Sequence, residues 1–243
     1  MATRIHVPGP LKESIRIRLA ESSGEIEAAN RLVFRNYVKD GFWEDDENQL
    51  RNNRFLNSPH RSTFVAMQDR MLVGTLSIIA DSPSGLPSDK TQTQPMQILR
   101  SADQPMAEIS AFAMDHASCS SKSAFLFLIS YMFQYSFYYA GIDRLVASCK
   151  PAHADFYESN LCFSKVTDLT YYDYSRASGY LISLDLLDAH RLFSERYPIR
   201  QMGDQGVYRF LLRDPQPCHQ FPAVALKRRR NIDWVERSAR KVA

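Results

Sequence analysis

The sequence predicts a mixed α/β fold, a central sheet with helices on its faces. Three observations carry this: period-two and helical apolar spacings alternate from residue 15 to about 186, no repeat or low-complexity tract interrupts them, and 44% of the 243 residues are apolar. That length and apolar content suit one substantial core with strands and helices in turn.

The elements follow in order. Ile15, Ile17 and Leu19 alternate with Arg16 and Arg18, as in a half-buried first strand. From Glu25 to Val38, Ile26, Ala29, Leu32, Val33 and Phe34 recur at helical spacing after the punctuation of Ser23 and Gly24. The runs TFVAM and MLVGTLSIIA flank Gln68, Asp69 and Arg70, which reads as a hairpin within residues 62–80. Residues 81–105, with five prolines and glycines among them, form a long polar connection with room for a short helix. MAEISAFAMD, residues 106–115, reads as the next strand, and residues 121–140 as the longest apolar helix, closed by Gly141. That helix carries eight aromatics between Phe125 and Tyr139. Ser130, Gln134 and Ser136 interrupt it, and at ~17 apolar-rich residues it falls short of the ~20 that cross a bilayer, so it reads as a core helix. RLVASC is a strand, Ala154 to Leu161 a helix and YLISLDL, from Tyr180, a late strand. AHRLFSERY reads as helix and PQPCHQFP as loop. The expected organisation is an arm over residues 1–14, a domain over 15–186 and an extension over 187–243.

Composition narrows the function classes. The N-terminus has no basic segment leading into an apolar run, which points to a cytoplasmic protein. Cys119, Cys149, Cys162 and Cys218 show no CxxC spacing and read as reduced, structural thiols, with no zinc site implied. The net charge of +3 is unevenly spread: residues 227–241 hold seven basic side chains against Asp233 and Glu236. Such a tail suits an acidic partner or anionic lipid, and equally a solvated terminal helix. Aromatics are not interleaved with its basic residues, which disfavours nucleic acid.

Several stretches resemble the long-chain N-acyl amino acid synthases, enzymes of the GNAT-like fold related to the acyl-homoserine-lactone autoinducer synthases. PAHADFYESNLCF, residues 151–163, resembles the P-x-H-x-x-F-Y-x5-F segment of that family, and AEISAFAMD, residues 107–115, its E-x-S-x-x-A-x-D strand. Gly74 and Thr75, then Asp81, Ser82 and the GLP of residues 85–87, are similar to its G-T, D-S and G-L-P connection. Arg31, Phe34 and Trp43 resemble the Arg, Phe and Trp of the autoinducer synthases' first helix and mobile loop. Departures are Lys150 in place of asparagine and Cys162 in place of glycine, with Ala111 and Ser77 where autoinducer synthases carry arginine. The last of these favours amino acid acylation over lactone synthesis.

The resemblance implies a GNAT-like sheet and transfer of a fatty acyl group from a thioester to an amine. That chemistry needs a base, stabilisation of a tetrahedral oxyanion and a proton for the leaving thiolate, but no covalent nucleophile. The chain indeed has no G-x-S-x-G elbow. Strand alternation predicts Glu108, Ser110 and Phe112 on one face, with Glu108 as base if burial raises its pKa, and an ion-paired surface glutamate as the competing reading. Tyr157, one turn after His153, stands where many enzymes of this fold place the acid for the thiolate, and core packing is its other use. His153 matches the family histidine, as a substrate contact or a helix-start residue. Arg31, Phe34 and Trp43 are expected to gate the acyl donor.

Coenzyme A enzymes of this fold open the corresponding helix with a glycine-rich loop that holds the pyrophosphate. Here residues 116–124 contain no glycine. The expected donor is therefore acyl carrier protein, whose phosphopantetheine arm has one phosphate for Ser120, Ser121 and Lys122, although the serines serve a helix cap equally well. The expected acceptor is an amino acid. A coenzyme A-dependent acyltransferase and a non-catalytic acyl- or partner-binding protein are the alternatives.

Overall fold

A computed structural model describes residues 5–9, 15–46, 50, 53–117, 121–172, 177–198, 206–224 and 226–227. Strand β1 (Ile15–Leu19) buries Ile15 and Ile17. Helix α1 (Ser23–Lys39) starts where the Ser22 hydroxyl accepts the Glu25 amide at 3.2 Å, satisfying a donor that the first turn leaves open. Strands β2 (Arg61–Gln68) and β3 (Met71–Ala80) form the expected hairpin. The polar connection holds a 3-10 turn (Pro87–Lys90) and helix α2 (Thr93–Arg100) before β4 (Met106–Met114). Helix α3 (Ser121–Gln134) runs on into a π turn (Tyr135–Ala140), which ends at Gly141 with φ 70°. Then come β5 (Arg144–Cys149), α4 (Pro151–Leu161), the short strands β6 (Ser164–Lys165) and β7 (Thr170–Tyr172), β8 (Ala177–Asp185), α5 (Leu186–Arg196) and β9 (His219–Gln220).

Among the described residues the sheet has nine strands in the order β6-β8-β5-β4-β3-β2-β1-β9, with β7 beside β8. The β4/β5 and β1/β9 pairs are parallel and the rest antiparallel. One face packs on α3, α4 and α5 through residues such as Leu76, Ile109, Leu145, Leu128, Phe133 and Phe193. The other face packs on α1 and α2, with Ile79, Met106 and Val146 against Leu86 and Met96, and Ala111 and Ala113 against Leu32 and Val33. No helix among the described residues is long and apolar enough to cross a membrane.

The all-round apolar character of α3 has a structural reason. Its side away from the sheet is covered by residues 206–221: Phe127 meets Phe210 edge-on at 5.0 Å, and the Ser130 hydroxyl donates to the Phe210 carbonyl at 2.5 Å. Three differences from the sequence reading stand out. Helix α4 begins at Pro151, three residues early, because proline without an N–H suits the first helical position. PQPCHQFP is not simply a loop, since His219 and Gln220 pair with Ile17 and Arg18 of β1. Strands β6 and β7 have two and three residues, too short for periodicity to reveal. The basic tail beyond residue 227 lies outside the described residues.

Candidate active site

The site begins with a fault in β4. Ser77 faces Ser110 and Thr75 faces Ala113, so two steps along β3 match three along β4, and Ala111 takes up the extra residue with φ 51°. This β-bulge reverses the alternation of side chains. Glu108 therefore points to the α1/α2 face, whereas Phe112 points to the α3 face, where it meets Phe125 edge-on at 5.5 Å. The expectation that Glu108, Ser110 and Phe112 share one surface fails for Phe112 for that reason.

The second feature is a splay between parallel strands. Strands β4 and β5 pair only at Met106/Arg144, Ala107/Leu145 and Glu108/Val146. Beyond Glu108 the edge of β4 facing β5 has no strand partner among the described residues, although β4 continues to Met114 and β5 to Cys149. A V-shaped opening results, with Glu108 at its apex.

Glu108 is 3% exposed. Its carboxylate accepts the Ser88 amide at 2.9 Å and the Ser88 hydroxyl at 2.7 Å. Burial pushes its pKa up to about 7, against the opposing pull of the Ser88 hydrogen bonds. The Ser88 hydroxyl also lies 2.7 Å from that of Ser148, which in turn is bonded to Tyr172. The family-like connection builds this support. The Asp89 carboxylate accepts the Leu86 amide at 2.7 Å across the turn at Gly85 (φ 72°), and Pro87 opens the 3-10 turn that presents Ser88. Arg100 ties the connection together, donating to Asp81 at 2.6 and 2.9 Å and to Asp89 at 2.6 Å. A Cβ at Gly74 would come within 2.7 Å of the end of the Met114 side chain, which would have to shift, and Thr75 donates to the buried Phe64 carbonyl at 2.9 Å.

Tyr157 approaches from the other face. It packs edge-on against Phe163 at 5.2 Å, and burial together with its neighbours Cys149 and Tyr37 raises its pKa, so the phenol stays protonated at neutral pH. Among the described residues its hydroxyl has no hydrogen-bond partner. Tyr37 belongs to α1, so the two tyrosines sense each other across the opening; the Tyr37 phenol also lies against the Phe112 backbone amide at the bulge, and burial pushes its pKa up to about 12. His153 lies on the exposed side of the α4 first turn, and partial covering of its ring plus the Lys150 charge hold its pKa below the ordinary imidazole value.

The segment after α1 spans the mouth. Phe42 carries the Lys150 ammonium 3.7 Å above its ring, and Trp43 packs edge-on against Tyr37 at 5.1 Å and near Phe34 at 6.2 Å. Phe34 and Trp43 thus reach the site's cover. Arg31 does not, because it lies on the exposed side of α1, bonded to Glu27 at 2.8 Å. Ser110 is half-buried opposite Ser77. Ser121 and Lys122 begin α3, and Ser120 lies outside the described residues. Sequence reasoning missed Ser88, Ser148, Tyr37 and Arg61. Ser88 carried a usable signal, since it directly follows the G-L-P turn. Cys162, where the resembled family has glycine, takes the left-handed conformation with φ 58°, which costs a side-chain-bearing residue ~1 kcal/mol.

The mixed sheet flanked by helices and splayed between two parallel strands is a GNAT-like fold. Residues 28–185 match the family described as N-acyl amino acid synthase FeeM, and the chain belongs to that family. Among solved structures, FeeM itself, an N-acyl amino acid synthase from uncultured soil microbes, is 29% identical with a TM-score of 0.63, covering 73% of this chain and 93% of that one. The coenzyme A-dependent acyl-homoserine lactone synthase BjaI shares the fold at 13% identity and a TM-score of 0.58, covering 93% of this chain and 99% of its own. A search of curated proteins finds no match. The protein is an N-acyltransferase.

Proposed function

We propose that the protein makes N-acyl amino acids, moving a long fatty acyl group from the phosphopantetheine thioester of acyl carrier protein to the amine of an amino acid. The observation that carries this reading is Glu108, a carboxylate with a pKa of about 7 at the apex of the opening. A base with that pKa is half ionised near neutrality, where it can take a proton from an ammonium group and still hold it.

The unpartnered edge of β4 suits an extended pantetheine arm, which adds to a sheet edge as a strand does. In the proposed reaction the neutral amine attacks the thioester carbonyl, the N–C bond forms and the C–S bond breaks. Glu108 takes the proton that frees the amine, the Tyr157 hydroxyl gives its proton to the departing thiolate, and the second proton lost by the nitrogen restores the Tyr157 hydroxyl, so that amide and thiol result. The half-buried aromatics Phe112, Phe125 and Phe156, linked at 5.5 and 5.8 Å, suit the acyl chain, and Phe34 and Trp43 cover the mouth. His153 contacts substrate at the rim. Arg31, turned outward, has no part in this proposal. Ser120, Ser121 and Lys122 are assigned the single phosphate of the arm, consistent with the lack of glycine over residues 116–124. That donor implies a cytoplasmic setting.

The test is to incubate the purified protein with palmitoyl acyl carrier protein or palmitoyl coenzyme A and the twenty amino acids, with product read by mass spectrometry. The expected result is N-palmitoyl amino acid formed at least tenfold faster from the carrier protein. Preference for coenzyme A would reassign the donor, and no N-acyl product from either would favour a non-catalytic acyl-binding protein.

A further inference from the structure

Arg61 is a half-buried cation whose Nη2 is shielded from solvent, and among the described residues it has no counter-ion. Its Nε donates to the Ser77 hydroxyl at 2.9 Å, and Nη1 donates to the Asn30 side-chain carbonyl at 2.7 Å and the Leu56 carbonyl at 2.8 Å. No carboxylate pairs with it among the described residues, and Nη2, shielded from solvent, has no hydrogen-bond partner there. Burial lowers its pKa to about 10, so it keeps its charge at neutral pH. Shielding part of an unpaired cation from water is costly, and persists where something else needs it.

Its place in the sheet relates it to the active carboxylate. Arg61 stands opposite Ile79, and Ile79 opposite Glu108, so the two charged residues occupy one cross-strand row on the α1/α2 face. Two strand spacings separate their backbones, about 10 Å. An arginine side chain, an amino-acid backbone and a glutamate side chain together close that gap. Ile79 stands between them, and the neighbouring row on the same face holds the hydroxyls of Ser77, bonded to Arg61, and Ser110, which pair in register. Tyr37, whose phenol feels the Arg61 charge, links this row to the bulge.

Resting on the proposed amino acid acceptor, we infer that Arg61 is its carboxylate receptor: Nη2 binds the α-carboxylate while Glu108 faces the amine. The ligand class is a free α-amino acid, as opposed to an amine, amino amide or ester.

The test compares each acid with its decarboxylated amine: L-leucine with isoamylamine, L-phenylalanine with phenethylamine and L-serine with ethanolamine. In the wild-type protein the preferred acid is expected to exceed its amine in kcat/KM by about 10- to 100-fold, the range for a charge-assisted hydrogen bond. In Arg61→Met and Arg61→Gln that ratio collapses towards one, with KM for the acyl donor unchanged. Because the ratio is internal to each protein, partial misfolding does not mimic the result. Equal wild-type use of acid and amine, or an unchanged ratio in both variants, overturns the inference. Calorimetric binding of the same pairs to the wild-type protein and to Arg61→Gln gives an arm independent of turnover: a preference for the acid that Arg61→Gln loses, without catalysis, upholds Arg61 while overturning the proposed reaction, and equal wild-type binding of acid and amine overturns Arg61 alone.

Discussion

At Glu108 stability and chemistry pull in opposite directions. An unfolded chain releases this proton near pH 4.5, whereas the folded protein holds it to about pH 7. Between those values the folded state binds the extra proton, so stability falls as pH rises through the window, by roughly 3 kcal/mol in full. Glu108→Gln keeps the shape and an acceptor for the Ser88 amide but abolishes the titration. Its thermal midpoint is expected to exceed that of the wild type at pH 8 and to match it at pH 4.5. A difference independent of pH would show that the carboxyl titrates as an ordinary one. Tyr157→Phe tests the acid role from the opposite side. Among the described residues its hydroxyl has no partner to lose, so stability should change by less than about 0.5 kcal/mol, while kcat falls about 100-fold. A loss of stability with unchanged kcat would make Tyr157 core material.

Among elements, the connection between β3 and β4 does the positioning. Arg100, held by Asp81 and Asp89, fixes the turn whose Ser88 lowers the pKa of Glu108. Arg100→Met is expected to cost about 1–2 kcal/mol, the bidentate pairs being partly solvent-screened. Because it frees Ser88, the ionisation seen in kcat/KM should move up by about one unit; Ser88→Ala should do the same, at a cost of about 1–3 kcal/mol for the lost buried hydrogen bonds. A profile that stays in place in both variants would detach this connection from the chemistry. The connection was visible in sequence as a G-L-P turn in a long polar stretch, but its target was not, because the contact from Ser88 to Glu108 spans 20 residues of chain. Strand β4 shows the complementary limit. Strict alternation located Glu108 and misplaced Phe112, since a bulge leaves no trace in apolar spacing when the extra residue is an alanine.

For the whole molecule, the alternating periodicities from residue 15 to 186 were enough to read the layered α/β fold, because each half-buried element carries its own apolar stripe. They were not enough for the region after it. Phe210 and Leu211 complete the cover of α3, so the fully apolar surface of that helix was the only sequence sign that a further layer was needed. Glu108 and Tyr157, the residues proposed to carry the chemistry, could be named singly from the sequence, whereas an arrangement made by meeting faces could not. Tyr37 from α1 and Tyr157 from α4 approach each other only because β4 and β5 part.

The central claim is that Glu108, at that fork, is the base for acylating an amine. The direct measurement is the single-turnover rate of N-acyl product formation from a preloaded acyl donor, followed from pH 5 to 9 in the wild type and in Glu108→Gln. The wild-type rate should rise through an ionisation near pH 7, and the variant should be at least about 100-fold slower, with that ionisation gone. A variant that keeps the wild-type rate and its pH profile would contradict the account.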